Sequence, residues 1–111
     1  LEEHMPPTMT WELDEIASSG PAIVERNSPA VSAASRALEA VWGKRPLFIR
    51  QGGSIPVVIL IQEHLGAQSL LLGFGLPDDN LHAPNEKLHL PTFYRGIETY
   101  IRFTYAIADA A

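Results

Sequence analysis

Nine consecutive positions, Asp78-Asp79-Asn80-Leu81-His82-Ala83-Pro84-Asn85-Glu86, hold three carboxylates and one histidine. The 111 residues contain no cysteine, so neither a disulfide nor a thiolate site can form. Imidazole and carboxylate are then the usual ligands left for a cation such as zinc. A catalytic zinc takes about three protein ligands, and this segment offers no second histidine at ligand spacing, since His89 lies seven residues beyond His82. Residue chemistry alone leaves two readings of the segment. The simpler is a solvated acidic loop turning at Ala83-Pro84; the other is a loop that presents His82 to a metal. His89 likewise reads first as a surface histidine ahead of a helix, and second as a ligand.

A second candidate is Gly52-Gly53-Ser54, followed by a possible helix start. Free backbone amides and the helix dipole at such a point favour a carboxylate or phosphate. Arg50, two residues earlier, could add a bidentate carboxylate contact. A tight turn and a surface arginine are the plainer readings of the same residues. His4 and His64 have no partners at useful spacing. The chain lacks a Gly-x-Ser-x-Gly elbow, a Walker loop and a His-Glu-x-x-His pair, so the chemistry those motifs carry finds no support.

The elements around these residues can be read from their punctuation. Thr8 to Leu13 alternates apolar and polar residues, a strand signal, and Ser18-Ser19-Gly20-Pro21 breaks the chain. Ser28 can cap a helix with Pro29 at its first position, Val31, Ala34, Leu38, Val41 and Trp42 on one face, and Gly43 as a left-handed stop. Pro46 to Arg50 reads as a short strand. Ile55 to Ile61 is β-branched like a strand, yet it is bracketed by Ser54, Pro56 and Gly66 like a helix. Ser69 to Phe74 reads as a strand and Leu76 to Leu90 as a loop. Thr92 to Ala108 reads as an amphipathic helix with Phe93, Ile97, Tyr100, Ile101 and Ile107 inward. This order predicts an α/β fold, a short and mostly parallel sheet layered with helices. Both candidate sites would then open at one sheet edge.

A formal net charge of -5 and scattered basic residues argue against nucleic acid as a partner. The apolar run Ile55 to Ile61 is too short to cross a membrane. Leu1 to Met5 has no apolar core of the kind a signal peptide needs. Opening on Leu rather than Met, the sequence is expected to continue upstream. A cysteine-free chain is compatible with the cytoplasm, which is the expected location.

Three ordered segments carry a resemblance: Arg50-Gln51-Gly52-Gly53-Ser54-Ile55-Pro56-Val57, Leu72-Gly73-Phe74-Gly75, and Asp78 to Lys87. Together with Phe93-Tyr94-Arg95-Gly96-Ile97-Glu98 they resemble the end of the carnosinase, aminoacylase and carboxypeptidase-G type zinc metallopeptidases, peptidase family M-twenty. The similarity covers most of residues 28–111 and is nearest to the dipeptidase and deacylase branch. It implies that residues 1–27 close an inserted lid or dimerisation domain, with a remnant strand, and that 28–111 form the C-terminal portion of the catalytic domain. It also implies a helix, not a strand, for Ile55 to Leu65.

By the same resemblance His82 matches a ligand of one of two zinc ions. Gly53 and Ser54 match the element that holds the substrate's carboxylate. Arg50 shares that motif, and Asn85 and Glu86 stand beside the ligand as outer-sphere residues. The family's His-x-Asp motif, bridging aspartate and Glu-Glu pair are absent, so no catalytic residue is assigned within this chain. The implied function is part of a zinc-dependent hydrolase of dipeptides or small N-acyl amino acids. Its expected partners are that substrate, the rest of the enzyme chain and a second copy in a homo-oligomer; alone, the chain is expected to be inactive and to bind zinc weakly or not at all. The alternative is a non-catalytic module that self-associates or binds protein.

Overall fold

The computed structural model describes residues 2–16, 18, 20–52 and 55–109. Its helices are a 3-10 turn at Glu2–His4, α1 at Pro29–Trp42, α2 at Pro56–Leu65 and α3 at Leu90–Ala108. The ends of α1 follow local rules. The Ser28 hydroxyl accepts the Val31 amide at 3.2 Å, Pro29 starts the helix, and Gly43, at φ 68°, returns its own amide to the Glu39 carbonyl at 2.9 Å. In α2, Pro56 takes the first turn and Gly66, at φ 61°, donates to Gln62. Its cap position is Ile55, with no side-chain bond; Ser54 lies outside the described residues. Local punctuation thus prevails over the β-branched composition of Ile55 to Ile61, as the family resemblance implied.

The expected α/β sheet is overturned. Among the described residues there is no strand, and hence no parallel sheet, no remnant lid strand and no sheet edge at which two sites could meet. Residues 8–13, 46–50 and 69–74 have strand-like composition but no hydrogen-bonded ladder partner. A strand exists only as a pair, and even an isolated hairpin is marginal in water. In the first two the apolar side chains are largely in solvent, with Leu47 90% exposed and Ile49 76%; in the third, Leu70, Leu72 and Phe74 are half-buried without any strand partner.

What holds together is α1 against α3. Trp42 Nε1 donates to Thr99 Oγ1 at 3.2 Å, and Arg36 reaches the Ala106 carbonyl at 3.5 Å. Moving back along α1 therefore moves forward along α3, and the two run antiparallel. The buried faces are built of small side chains: Val31, Ala33, Ala34 and Ala37 on α1, and Thr92, Gly96 and Thr99 on α3. The last three recur at i, i+4 and i+7, one helix face. The inward set expected for α3 is corrected accordingly. Phe93, Ile97, Tyr100 and Ile101 are between 44% and 52% exposed, whereas Thr99 meets Trp42 of α1 and Gly96 lies under the ring of Phe74.

Phe74 locks the preceding segment onto this pair. Its ring stacks on Trp42 at 6.0 Å between centroids and meets Tyr100 edge-on at 6.0 Å. It lies over Gly96, where an added Cβ would stand 3.4 Å from Phe74 Cδ2. One methyl group just fits, and alanine is the better helix former by roughly 0.8–1 kcal/mol. Gly96→Ala should therefore be neutral or stabilising. Gly96→Leu must expel the ring and should cost about 1–3 kcal/mol. Urea midpoints measured at constant m would separate them; equal midpoints for the two variants would show that Phe74 does not occupy this notch.

Candidate functional site

The loop between Phe74 and α3 is a closed structure. Asp79 N–H donates to the Leu76 carbonyl at 3.1 Å, Ala83 N–H to Asn80 at 3.0 Å, and Lys87 N–H to the Asp79 carbonyl at 3.0 Å. The Leu76 amide donates to Asp79 Oδ2 at 2.7 Å, a charge-assisted bond. Asp79 is only 4% exposed, whereas the residues from Asn80 to Glu86 are exposed. Its other oxygen, Oδ1, is buried without a hydrogen-bond partner among the described residues.

Three residues of this loop have left-handed backbones: Asn80 at φ 54°, His82 at φ 59° and Asn85 at φ 61°. Asparagine tolerates that region because its short side chain bonds locally. A histidine there pays about 1–2 kcal/mol in Cβ–carbonyl crowding. Such strain persists where surrounding bonds over-determine the backbone, and the bonds from Asp79 and Lys87 do so here.

The described residues of the expected site are dispersed. His82 and Asn85 are exposed on the loop, and Glu86 lines a cavity of about 780 Å³ with Asp79, Phe74, Phe93, Ile97 and Tyr100. Arg50 is exposed, and among the described residues no hydrogen bond or ion pair joins it to the His82 loop. Gly53 and Ser54 lie outside the described residues. His89 occupies the cap position of α3, with Nδ1 2.8 Å from Thr92 Oγ1. His64 sits in the last turn of α2.

Among the described residues no three His, Asp or Glu side chains gather where they could hold one metal ion. His82 alone does not make the two-zinc centre that the resemblance implies, so the residues present do not by themselves fit that group. Among the described residues no helix is long and apolar enough to cross a membrane. The residue that sequence reasoning passed over is Asp79. Its signal was available in the turn-forming Pro77-Asp78-Asp79-Asn80 run, but nothing local distinguishes the buried aspartate from its exposed neighbour.

With the loop and the helix pair described, the class is defined: the chain belongs to peptidase family M20/M25/M40, whose family model matches residues 4–106. A Cys-Gly metallodipeptidase of Schizosaccharomyces pombe is 40% identical over 76 residues, which are 68% of this chain and 16% of the relative. Its Saccharomyces cerevisiae counterpart is 43% identical over 68 residues, 61% of this chain and 14% of the relative. The human Beta-Ala-His dipeptidase is 32% identical over 77 residues, 69% of this chain and 15% of the relative. A solved structure of the di-peptidase Dug1p from Saccharomyces cerevisiae superposes with a TM-score of 0.74 at 33% identity, covering 78% of this chain and 18% of that one. The chain thus spans less than a fifth of the length of these relatives.

Asp78 and Lys87 pair across the base of the loop. The hydrogen bond to Lys87 is the main reason the Asp78 carboxyl sits below its ordinary value of 3.8. The same bond raises the Lys87 ammonium above its ordinary 10.5. A lowered acid contributes stability above its unfolded pKa and loses it as the pH falls through the folded one. A raised base contributes below its unfolded pKa and loses it as the pH rises through the folded one. The pair therefore supports the loop across roughly pH 4–10. Carbon NMR titration of the Asp78 carboxyl should give a midpoint below 3.8 that returns to about 3.8 in Lys87→Met. An identical midpoint in both proteins would show that the pair does not form in solution.

Proposed function

We propose that this chain is the C-terminal part of a metal-dependent dipeptidase that hydrolyses the amide bond of dipeptides or small N-acyl amino acids. The carrying observation is the family match over residues 4–106, joined to relatives that bear dipeptidase names. On this reading residues 1–27 end a lid or dimerisation domain and 28–111 belong to the catalytic domain. His82 supplies one ligand to a two-zinc centre whose other ligands come from outside these residues. Gly53, Ser54 and Arg50 receive the substrate's carboxylate, and Asn85 and Glu86 support the histidine. With one candidate ligand, the isolated chain is inactive.

The lone position of His82 supports that division of labour, since no set of acidic or histidine side chains beside it completes a site among the described residues. Self-association is the second reading. It is favoured by the exposed run of Phe93, Ile97, Tyr100 and Ile101 along α3; pairing through strand edges has no support, since no strand is found among the described residues.

In the full-length protein, hydrolysis of Cys-Gly and β-Ala-His should be measurable and should disappear on chelation. His82→Ala should lower kcat/KM by more than about 100-fold, since loss of an outer partner of a ligand already costs 10–100-fold. Zinc content per chain should fall in parallel. Full activity and full zinc content in that variant would remove His82 from the metal site. Absence of dipeptide or N-acyl amino acid hydrolysis by the full-length wild type would sink the function itself.

A further inference from the structure

We infer that Asp79 is a positioning residue: it fixes the conformation of loop 76–87 and so the way His82 and Glu86 are presented. The inference rests on the proposal that His82 is the working residue of this loop. Asp79 ties the loop at three points. Its amide donates to the Leu76 carbonyl at 3.1 Å, its Oδ2 accepts the Leu76 amide at 2.7 Å, and its carbonyl accepts the Lys87 amide at 3.0 Å. Leu76 and Lys87 are the two ends of the loop, so one residue joins both ends to itself. Among the described residues every non-glycine with a left-handed backbone, Asn80, His82 and Asn85, falls between those ties.

The burial of Asp79 agrees with such a role. Exposed turns are commonly held by solvated aspartates, and an ordinary turn residue gains nothing from burying its carboxylate. Here the residue is 4% exposed, and among the described residues its Oδ1 has no partner. A group retained at that desolvation cost serves the bonds that its other atoms make. Asp78 and Lys87 add an exposed ion pair at the loop's base, but an exposed pair holds a backbone weakly. The Leu76–Asp79–Lys87 bonds are the part that can resist relaxation of His82 to an ordinary conformation.

The test uses the full-length protein with Asp79→Ala, Asp79→Asn and His82→Ala. Hydrogen exchange of peptides from the loop, α1 and α3 is measured beside kcat and KM for a dipeptide. In Asp79→Ala the loop amides should exchange at least about tenfold faster while α1 and α3 keep their protection. Its kcat should fall at least about tenfold with a smaller change in KM. Asp79→Asn keeps an oxygen for the Leu76 amide and should restore most of both. Unchanged loop exchange in Asp79→Ala overturns the inference. So does equal loosening of α1 and α3, which would make Asp79 a general core residue. A freed loop with unaltered kcat, where His82→Ala is inactive, also overturns it. If instead His82→Ala is fully active and Asp79→Ala still frees the loop, the clamp stands and the ligand role of His82 fails.

Discussion

Gly96 carries no side chain, and the ring of Phe74 occupies the space this leaves on α3. The contact is small, yet most of the ordered structure is arranged through it. Phe74 reaches Trp42 at the end of α1 and Tyr100 on α3 with the same ring. It thereby fastens the segment that enters the His82 loop to both helices at once. Trp42 is held from its far edge by the indole hydrogen bond to Thr99, whose hydroxyl returns to the Arg95 carbonyl at 2.8 Å. The guanidinium of Arg95 lies 5.4 Å from the Trp42 ring, within the range of a cation–π attraction. A loop that begins at Leu76 starts two residues from this anchor and ends at the first turn of α3. Its two ends are thus fixed on one surface before its own hydrogen bonds are counted.

Outside that anchor the chain buries little. Among the described residues the buried apolar ones are Val31, Ala33, Ala34, Ala37 and Val58, mostly small. The Cα radius of gyration is 18.7 Å, against about 13 Å for a compact domain of this length. The difference decides how the extended segments should be understood. Chain entropy costs about 1–2 kcal/mol for each ordered residue, and exposed side chains such as Ile16, Leu47 and Ile49 return none of it through burial. Segments that bury nothing have no physical reason to leave an irregular conformation.

This also explains which features were legible in the residues. The ends of α1 could be read because Ser28, Pro29 and Gly43 act within one turn of where they stand. The helix at Pro56–Leu65 was ambiguous by propensity and was resolved by its proline and glycine, again local signals. The three strand-like segments were misread because pairing is a property of two segments, and alternation in one does not supply the other. The inward face of α3 was misjudged for a related reason. Hydrophobicity marks Phe93, Ile97 and Tyr100, but what α3 buries is set by its partners, since Trp42 of α1 bonds Thr99 and the Phe74 ring covers Gly96. The family membership, carried by ordered motifs, needed none of this, although the remnant strand that the resemblance implied within residues 1–27 is not found among the described residues.

The His82 loop combines both kinds of information. Histidine, carboxylates and a proline turn in nine positions are visible to inspection because ligand chemistry depends on residue type. The conformation that gives the histidine its orientation depends on a buried carboxylate three residues earlier, and burial is not written in the residue itself. Asp78 and Asp79 are chemically identical neighbours, yet one faces Lys87 in solvent and the other anchors both ends of the loop. Their difference arises from the turn at Leu76–Asp79, in which the Asp79 amide and Oδ2 both bond Leu76 while the Asp78 carboxylate is left to Lys87. The Phe74 ring over Gly96 holds the chain two residues before that turn begins. Side-chain chemistry names the candidate ligand, and the turn decides which of two identical neighbours is buried beneath it.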